Sequence, residues 1–232
     1  MKIAVFGLPE FPLGKKKIPD KRLDALKEAL KSPKVTSLQA ELVDEQGMKD
    51  ADGIICLDSK KADIALMDLE LIETRLSRGE DAAEKDFLTR IQKELEQEQF
   101  VQALSLSDSE RAVATTLNLI TLKPILLVAQ ERVNDSEGVI EEMYRAADMI
   151  SFFTSNKNEL RAWGLRTGAT AHEAAGCIHS DIQRGFIKAE VFNFKDVEEL
   201  GDIREAKSRA MRLENKEYVV QDGDIINFRF SV

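Results

Sequence analysis

The apolar positions of this chain change their spacing from segment to segment, and each change marks a different kind of element. Residues 1–6 form a short apolar run closed by Gly7 and Pro9, the pattern of a buried strand. Leu23, Leu26, Ala29 and Leu30 then recur at helical spacing over 21–31, and Ser32-Pro33 ends that helix. Further strands are predicted over 37–43 and 53–57, each ending in a polar turn, which suits a mainly parallel sheet. Between about 60 and 104 the spacing predicts a helical hairpin. Ile64, Leu66, Leu69, Ile72 and Leu76 line one helix, Phe87, Leu88, Ile91 and Leu95 line the next, and Gly79 sits between them. Ser107 and Glu110 have the spacing of a capping box, opening a helix that runs to about 119, and Lys123-Pro124 leads into a strand over 125–129.

Beyond Met149 the character shifts. Strands are predicted over 150–153, 162–165, 186–192, 218–220 and 224–230, with Gln221-Asp222-Gly223 as a hairpin-type turn between the last two. A helix over 170–182 opens on a second capping box, Thr170 with Glu173. No repeat or low-complexity tract interrupts the chain, so the expected division, 1–148 and 149–232, rests on this change of pattern. The fold class is therefore α/β: a parallel-sheet domain with a helical hairpin inserted, then a small α+β domain.

Composition narrows the setting. The chain has 42 acidic against 33 basic residues, and most of the acidic excess lies before residue 149. That argues against broad binding of phosphate backbones through the first part. No apolar run approaches the ~20 residues of a membrane helix, and the apolar N-terminus stops at Pro9-Glu10, too short for a secretory core. A cytoplasmic protein with no membrane contact is expected. Cys56 and Cys177 fall in apolar surroundings and are expected as buried free thiols. His172 and His179 stand seven residues apart on the predicted helix, and with no further ligands they are expected to be surface and packing residues. Trp163 and the phenylalanines at 186, 192, 194, 228 and 230 alternate like strand core, with RNA stacking as the sharper alternative.

The candidate chemistry lies in Gly7-Leu-Pro-Glu-Phe-Pro-Leu-Gly14-Lys15-Lys16. A phosphate loop reads G-x-x-x-x-G-K-[ST]: its backbone N–H groups cradle phosphates, its Lys reaches the outer ones, and its hydroxyl ligates magnesium. Here the spacer is longer and holds Pro9 and Pro12, which have no N–H to donate, and Lys16 stands where the hydroxyl belongs. Lysines and free N–H groups near Gly14 could still attract an anion. Asp44 and Gly47 have D-x-x-G spacing at a strand end, a pattern that an ordinary turn also produces.

At these residues the chain resembles the YchF/Obg-like ATPases. Residues 149–232 look like the family's C-terminal β-grasp module of the TGS type. The match is carried by Ile150-Ser-Phe-Phe-Thr154, Arg161-Ala-Trp-Gly-Leu-Arg166, Ala174-Ala-Gly-Cys-Ile-His179, Gly185-Phe-Ile-Lys-Ala-Glu-Val191 and the run from Tyr218 to Phe230. The first part is similar to the family's nucleotide-binding domain only at separate stations: residues 1–9, 18–24, 43–47 and 122–126. There is no room between Lys17 and Ile18 for the helix after the phosphate loop or for the first switch. The resemblance maps the phosphate-loop Lys to Lys15 and the D-x-x-G pair to Asp44 and Gly47, and places the adenine-reading motif near Ala129–Val133, where Gln130 replaces its Asn.

With the metal hydroxyl and the switches missing, the resemblance implies a shortened, catalytically degenerate relative, for which no catalytic residue, metal site or cofactor is assigned. Gly7, Gly14, Lys15, Asp44 and Gly47 are the candidate nucleotide contacts. The alternative is a nucleotide-binding protein or weak NTPase that holds ATP or GTP with magnesium through Lys15 and Asp44. The TGS-like part implies contact with the ribosome, RNA or a regulatory protein, and Arg161, Arg166, Arg184 and Lys188 are candidates for that surface because they lie in or beside predicted strands. The pattern specifies no oligomeric state.

Overall fold

The computed structural model describes residues 1–78 and 82–231. In chain order the first elements are β1 (Lys2–Phe6), β2 (Gly14–Lys17), α1 (Lys21–Leu30), β3 (Val35–Thr36), β4 (Gln39–Val43) and β5 (Gly53–Leu57). The helices α2 (Lys61–Leu76), α3 (Ala82–Glu96) and α4 (Asp108–Thr116) follow, then β6 (Ile125–Val128) and α5 (Ser136–Ala146). The remainder is β7 (Met149–Ser155), β8 (Leu160–Arg166), α6 (Ala171–Ile178), α7 (Ser180–Arg184), β9 (Phe186–Asn193), α8 (Phe194–Leu200), α9 (Ile203–Ala210), β10 (Arg212–Glu214) and β11 (Asp224–Phe230).

Contacts divide the chain into one unit of 1–16 with 40–147 and a second of 17–39 with 148–232. Helix α1, read from sequence as part of the N-terminal domain, thus packs with the C-terminal residues.

The first unit is built on a five-stranded sheet in the order β2-β4-β1-β5-β6, with β4, β1, β5 and β6 mutually parallel. One face carries Ala4, Phe6, Ile54 and Cys56 against Ile64, Ile72, Leu88, Ile91 and Leu95 of the helices. The expected hairpin is present as α2 and α3; Gly79 lies outside the described residues. Asp68, buried within α2, fixes the hairpin to the segment before β6. Its carboxylate accepts the N–H of Ile120 (2.9 Å) and both the N–H and hydroxyl of Thr121 (2.8 and 2.6 Å). Burial raises the pKa of Asp68, and the bonds from Thr121 and Ile120 oppose that shift. The capping box at Ser107 and Glu110 is formed, although its helix stops at Thr116. Helix α5, capped by Asp135, was not foreseen.

The second unit holds a six-stranded mixed sheet, β10-β9-β11-β7-β8-β3. Leu23 and Leu26 of α1 and Ile203 and Ala206 of α9 cover one face with Phe153, Phe192 and Ile225; α6 covers the other, with Phe152, Val191 and Ile226. Arg22 ties α1 to this sheet. It donates to both oxygens of Asp222 (2.8 and 3.0 Å) and to Asp20 (2.9 and 3.0 Å), and lies 5.4 Å from the Phe153 ring. Asp222 also accepts the N–H of Ser151 at 2.9 Å. Burial alone would disfavour the guanidinium charge, but bonds to Asp20 and Asp222 outweigh it and hold the Arg22 pKa above its ordinary value.

Several expectations are corrected. The predicted strand 37–43 begins only at Gln39, which opens the strand beside β1, and the unpredicted pair Val35–Thr36 just before it joins β8 in the other sheet. Residues 218–220 are not a strand, so 221–223 is no hairpin turn. Val219 instead bridges Thr170, and the buried Asp224 accepts the Tyr218 hydroxyl (2.8 Å), the Gln221 N–H (2.9 Å) and the Asn193 amide (2.9 Å). The partner of β9 on that side is Arg212–Glu214. The helix read over 170–182 breaks at His179, whose backbone is extended (φ −165°) and whose Nδ1 accepts the Asp181 N–H as the cap of α7. His172 and His179 therefore do not share a helix face. Phe194 opens α8 rather than extending a strand, α8 and α9 were not foreseen, and Cys177 is exposed while Cys56 is buried.

Two outcomes follow for stability. Arg22→Ala strands two carboxylates and removes the tie on α1, so denaturant unfolding should show a loss of about 1–3 kcal/mol. Tyr218 is pushed up to about 12 from 10.0 by burial and by its bond to Asp224. A raised pKa stabilises the fold fully below pH 10, and that contribution is lost as pH rises toward 12. Ultraviolet phenolate titration should show this late ionisation in the native protein and lose it in Tyr218→Phe.

Candidate functional site

The C-terminal ends of parallel strands are where an α/β sheet presents its loops to a ligand. In the first unit those ends carry the turn after β1, the 3-10 turn Glu45–Asp50 after β4, Asp58–Lys60 after β5 and Gln130–Arg132 after β6.

Gly7 follows β1 with φ +72°, in the left-handed region that glycine tolerates. A Cβ there would also come within 2.7 Å of Lys60 Cγ, so the Lys60 side chain closes the β5 side of the turn. The chain then doubles back, with Phe11 N–H donating to Leu8 C=O at 3.0 Å, and Leu8 and Phe11 are buried. No helix begins at Gly14. Instead Gly14–Lys17 is an edge strand beside β4, which puts Gly14 and Lys15 in solvent along the sheet edge. The turn expected near Gly14 is thus replaced by extended chain.

Asp44 ends β4 and caps the following turn: its side chain accepts the Gln46 N–H at 3.1 Å. Gly47 lies one step further, where a Cβ would overlap Val43 Cγ2, so this position is glycine for packing reasons whatever else it does. An open cavity of about 300 Å³ lies between the turns after β1 and β4, lined by Gly7, Leu8, Pro9, Phe11, Asp44 and Gln46 among others. The structure therefore brings Gly7 and Asp44 to one cavity and leaves Gly14, Lys15 and Gly47 outside its lining. Lys60, which follows the apolar run 53–57, lies outside this lining, and its ammonium is ion-paired to Asp63 at 2.7 Å. Among the described residues, no group of three or more His, Cys, Asp or Glu could hold a metal ion.

The cationic set of the second unit does not gather. Arg161 stacks over Trp163 at 4.0 Å from the ring centre, on the sheet face that also carries Leu165. Lys188 alternates with Ala189, which puts it on the opposite face, with Glu190 intervening two residues on. Arg166 ends β8, and Arg184 ends α7, ion-paired to Asp181 at 2.6 Å. Most of the aromatic residues form core: Phe152 packs against Trp163 and Phe228, and Phe228 against Phe186, whereas Phe230 at the end of β11 is exposed.

Comparison with known proteins adds three findings. A family model described as YchF-GTPase_C, a protein of unknown function (DUF933), matches residues 149–231. A Bacillus subtilis protein named ribosome-binding ATPase YchF is 28% identical, over 78% of this chain and 68% of its own length. A rice protein named Obg-like ATPase 1 is 46% identical over 40% of this chain and 24% of its own. The chain spans about two thirds of the length of the bacterial relatives it matches. The solved Schizosaccharomyces pombe YchF GTPase superposes with a TM-score of 0.76 at 18% identity, covering 99% of this chain and 97% of that one, and shares its fold. Among the described residues, no helix is long and apolar enough to cross a membrane.

Gly47 offers a direct test of steric against ligand-binding roles. Gly47→Ala should destabilise by about 1–3 kcal/mol through overpacking on Val43. In a Val43→Ala background, which removes the Cγ2 overlap, the further loss on adding Gly47→Ala should be smaller than in the wild-type background, measured by denaturant unfolding.

Proposed function

The chain belongs to the YchF/Obg-like ATPase family, and from that premise we propose that it acts as a cytoplasmic binding module, without NTP hydrolysis. It docks on the ribosome through the unit containing residues 148–232. The observation that supports the loss of hydrolysis most is the edge strand Gly14–Lys17. A phosphate loop works because it feeds a helix whose N-terminal N–H groups point at the anion. Here Pro9 and Pro12 lack that donor, Phe11 N–H is used within the turn, and Lys15 extends along a sheet edge. On this reading a magnesium triphosphate has no cradle, and phosphoryl transfer, which depends on positioning and charge stabilisation, has no machinery. The ribosome is suggested by relatives that carry ribosome binding in their names. RNA or a regulatory protein would engage the same unit.

A second reading is supported by the cavity beside Gly7 and Asp44: a nucleotide binder that holds ATP or GTP with magnesium weakly. Calorimetric titration with Mg-ATP and Mg-GTP, alongside co-sedimentation with ribosomes, separates the two. The expected result is silence in the titration and co-sedimentation of the wild-type chain. Micromolar binding abolished by Asp44→Ala, in the cavity lining, would favour the second reading instead.

A further inference from the structure

We infer that the second unit carries a docking groove for an acidic peptide segment bearing one apolar anchor, on the sheet face beside edge strand β10. The inference deepens the reading that this unit recognises a partner, and rests on it.

The register of the sheet sets the groove. Leu213 pairs with Glu190, and directly opposed residues project to the same face, so Leu213 and Met211 share the face of Glu190 and Phe192. Helix α9 covers part of that face through Ile203 and Ala206 but ends at Ala210. Met211, just before the outermost strand of the sheet, and Leu213, within it, are consequently left 43% and 57% exposed. Beside them opens a cavity of about 120 Å³ lined by Leu30, Phe192, Ile203, Met211 and Ile225. That volume holds one apolar side chain and is well below the ~300–1,000 Å³ of a small-molecule pocket.

Charge selects the partner. Arg204 and Lys207 stand at the rim, one helical turn apart on α9, and both are exposed. Neither side chain makes a hydrogen bond or close ion pair among the described residues. The acid at this rim, Glu190, is hydrogen-bonded by the Asn227 amide and by Arg229, and Lys207 adds a weaker attraction through space. The groove therefore offers two exposed cations around an apolar hollow, Arg204 without an acidic partner among the described residues and Lys207 within the field of Glu190. A phosphate backbone would meet the cations and leave the hollow unfilled. A peptide with carboxylates flanking one large apolar residue satisfies both features.

The test uses the full chain and a fluorescein-labelled peptide with one leucine between two pairs of aspartates, followed by fluorescence anisotropy. Saturable binding is expected, weakening with salt. Arg204→Glu with Lys207→Glu should weaken it by about tenfold or more, and replacing the peptide's leucine by serine should do the same. Both substitutions lie on an exposed helix surface, and a circular-dichroism melt checks that the variant remains folded. Absence of binding, equal binding by the charge-reversed variant or the serine peptide, or displacement of the peptide by oligouridylate would overturn the inference. Ribosome co-sedimentation, run in parallel, keeps the two proposals apart. No peptide binding with sedimentation retained defeats the groove alone, whereas peptide binding with no sedimentation by the wild-type chain defeats the ribosome reading alone.

Discussion

The guanidinium of Arg22 hydrogen-bonds two carboxylates at once, Asp20 at the start of its own helix and Asp222 in the turn before β11, while lying over Phe153. These contacts, with Leu23 and Leu26 buried beneath, commit helix α1 to the sheet of the second unit. Burial of each such leucine is worth about 1.5–3 kcal/mol, and the fork of Arg22 sets where they land. The bidentate geometry matters because a planar guanidinium matches a carboxylate in one orientation only. Asp222 passes the constraint onward through the Ser151 N–H, so the helix, the turn and β7 are held as one arrangement.

The consequence reaches the turn after β1. The residues that follow it are taken first by an edge strand and then by α1 and β3, both of which serve the second unit. Nothing is left to form a helix at Gly14, and with that helix go the aligned N–H donors that make such a turn an anion site. Gly7 keeps its left-handed conformation and Asp44 keeps its place at the end of β4, so the turns at the C-terminal ends of the parallel strands persist. These turns nonetheless serve local packing: Gly7 accommodates Lys60, and Gly47 accommodates Val43.

Two buried carboxylates play matching parts in the two units. Asp68 satisfies the backbone at Ile120 and Thr121, and Asp224 collects donors from Asn193, Tyr218 and Gln221. A buried acid is tolerated only when its oxygens are filled, and each of these is filled by groups distant in sequence or by a turn. Each consequently fixes an irregular segment that apolar periodicity does not describe.

Local patterns settled much of this protein before any tertiary contact is considered. The strands 53–57 and 224–230, the hairpin helices, and the capping boxes at Ser107 and Thr170 all follow from period and cap chemistry that operate within a few residues. Pro9 and Pro12, visible in the sequence, already limit the N–H donors of the turn after β1. Long-range pairing decided the rest. Val35 and Thr36 join β8 while Gln39–Val43 joins β1, a change of sheet between neighbouring segments that local patterning does not show. Val219 bridges Thr170 instead of pairing with β11, because Asp224 anchors Tyr218 and Gln221 from across a turn. Arg161 and Lys188 fall on opposite faces of one sheet, which depends on register and not on charge. A sequence carries its neighbours' periodicity directly, whereas strand order, the sharing of a face and the pairing of Arg22 with Asp222 arise only when the chain closes on itself.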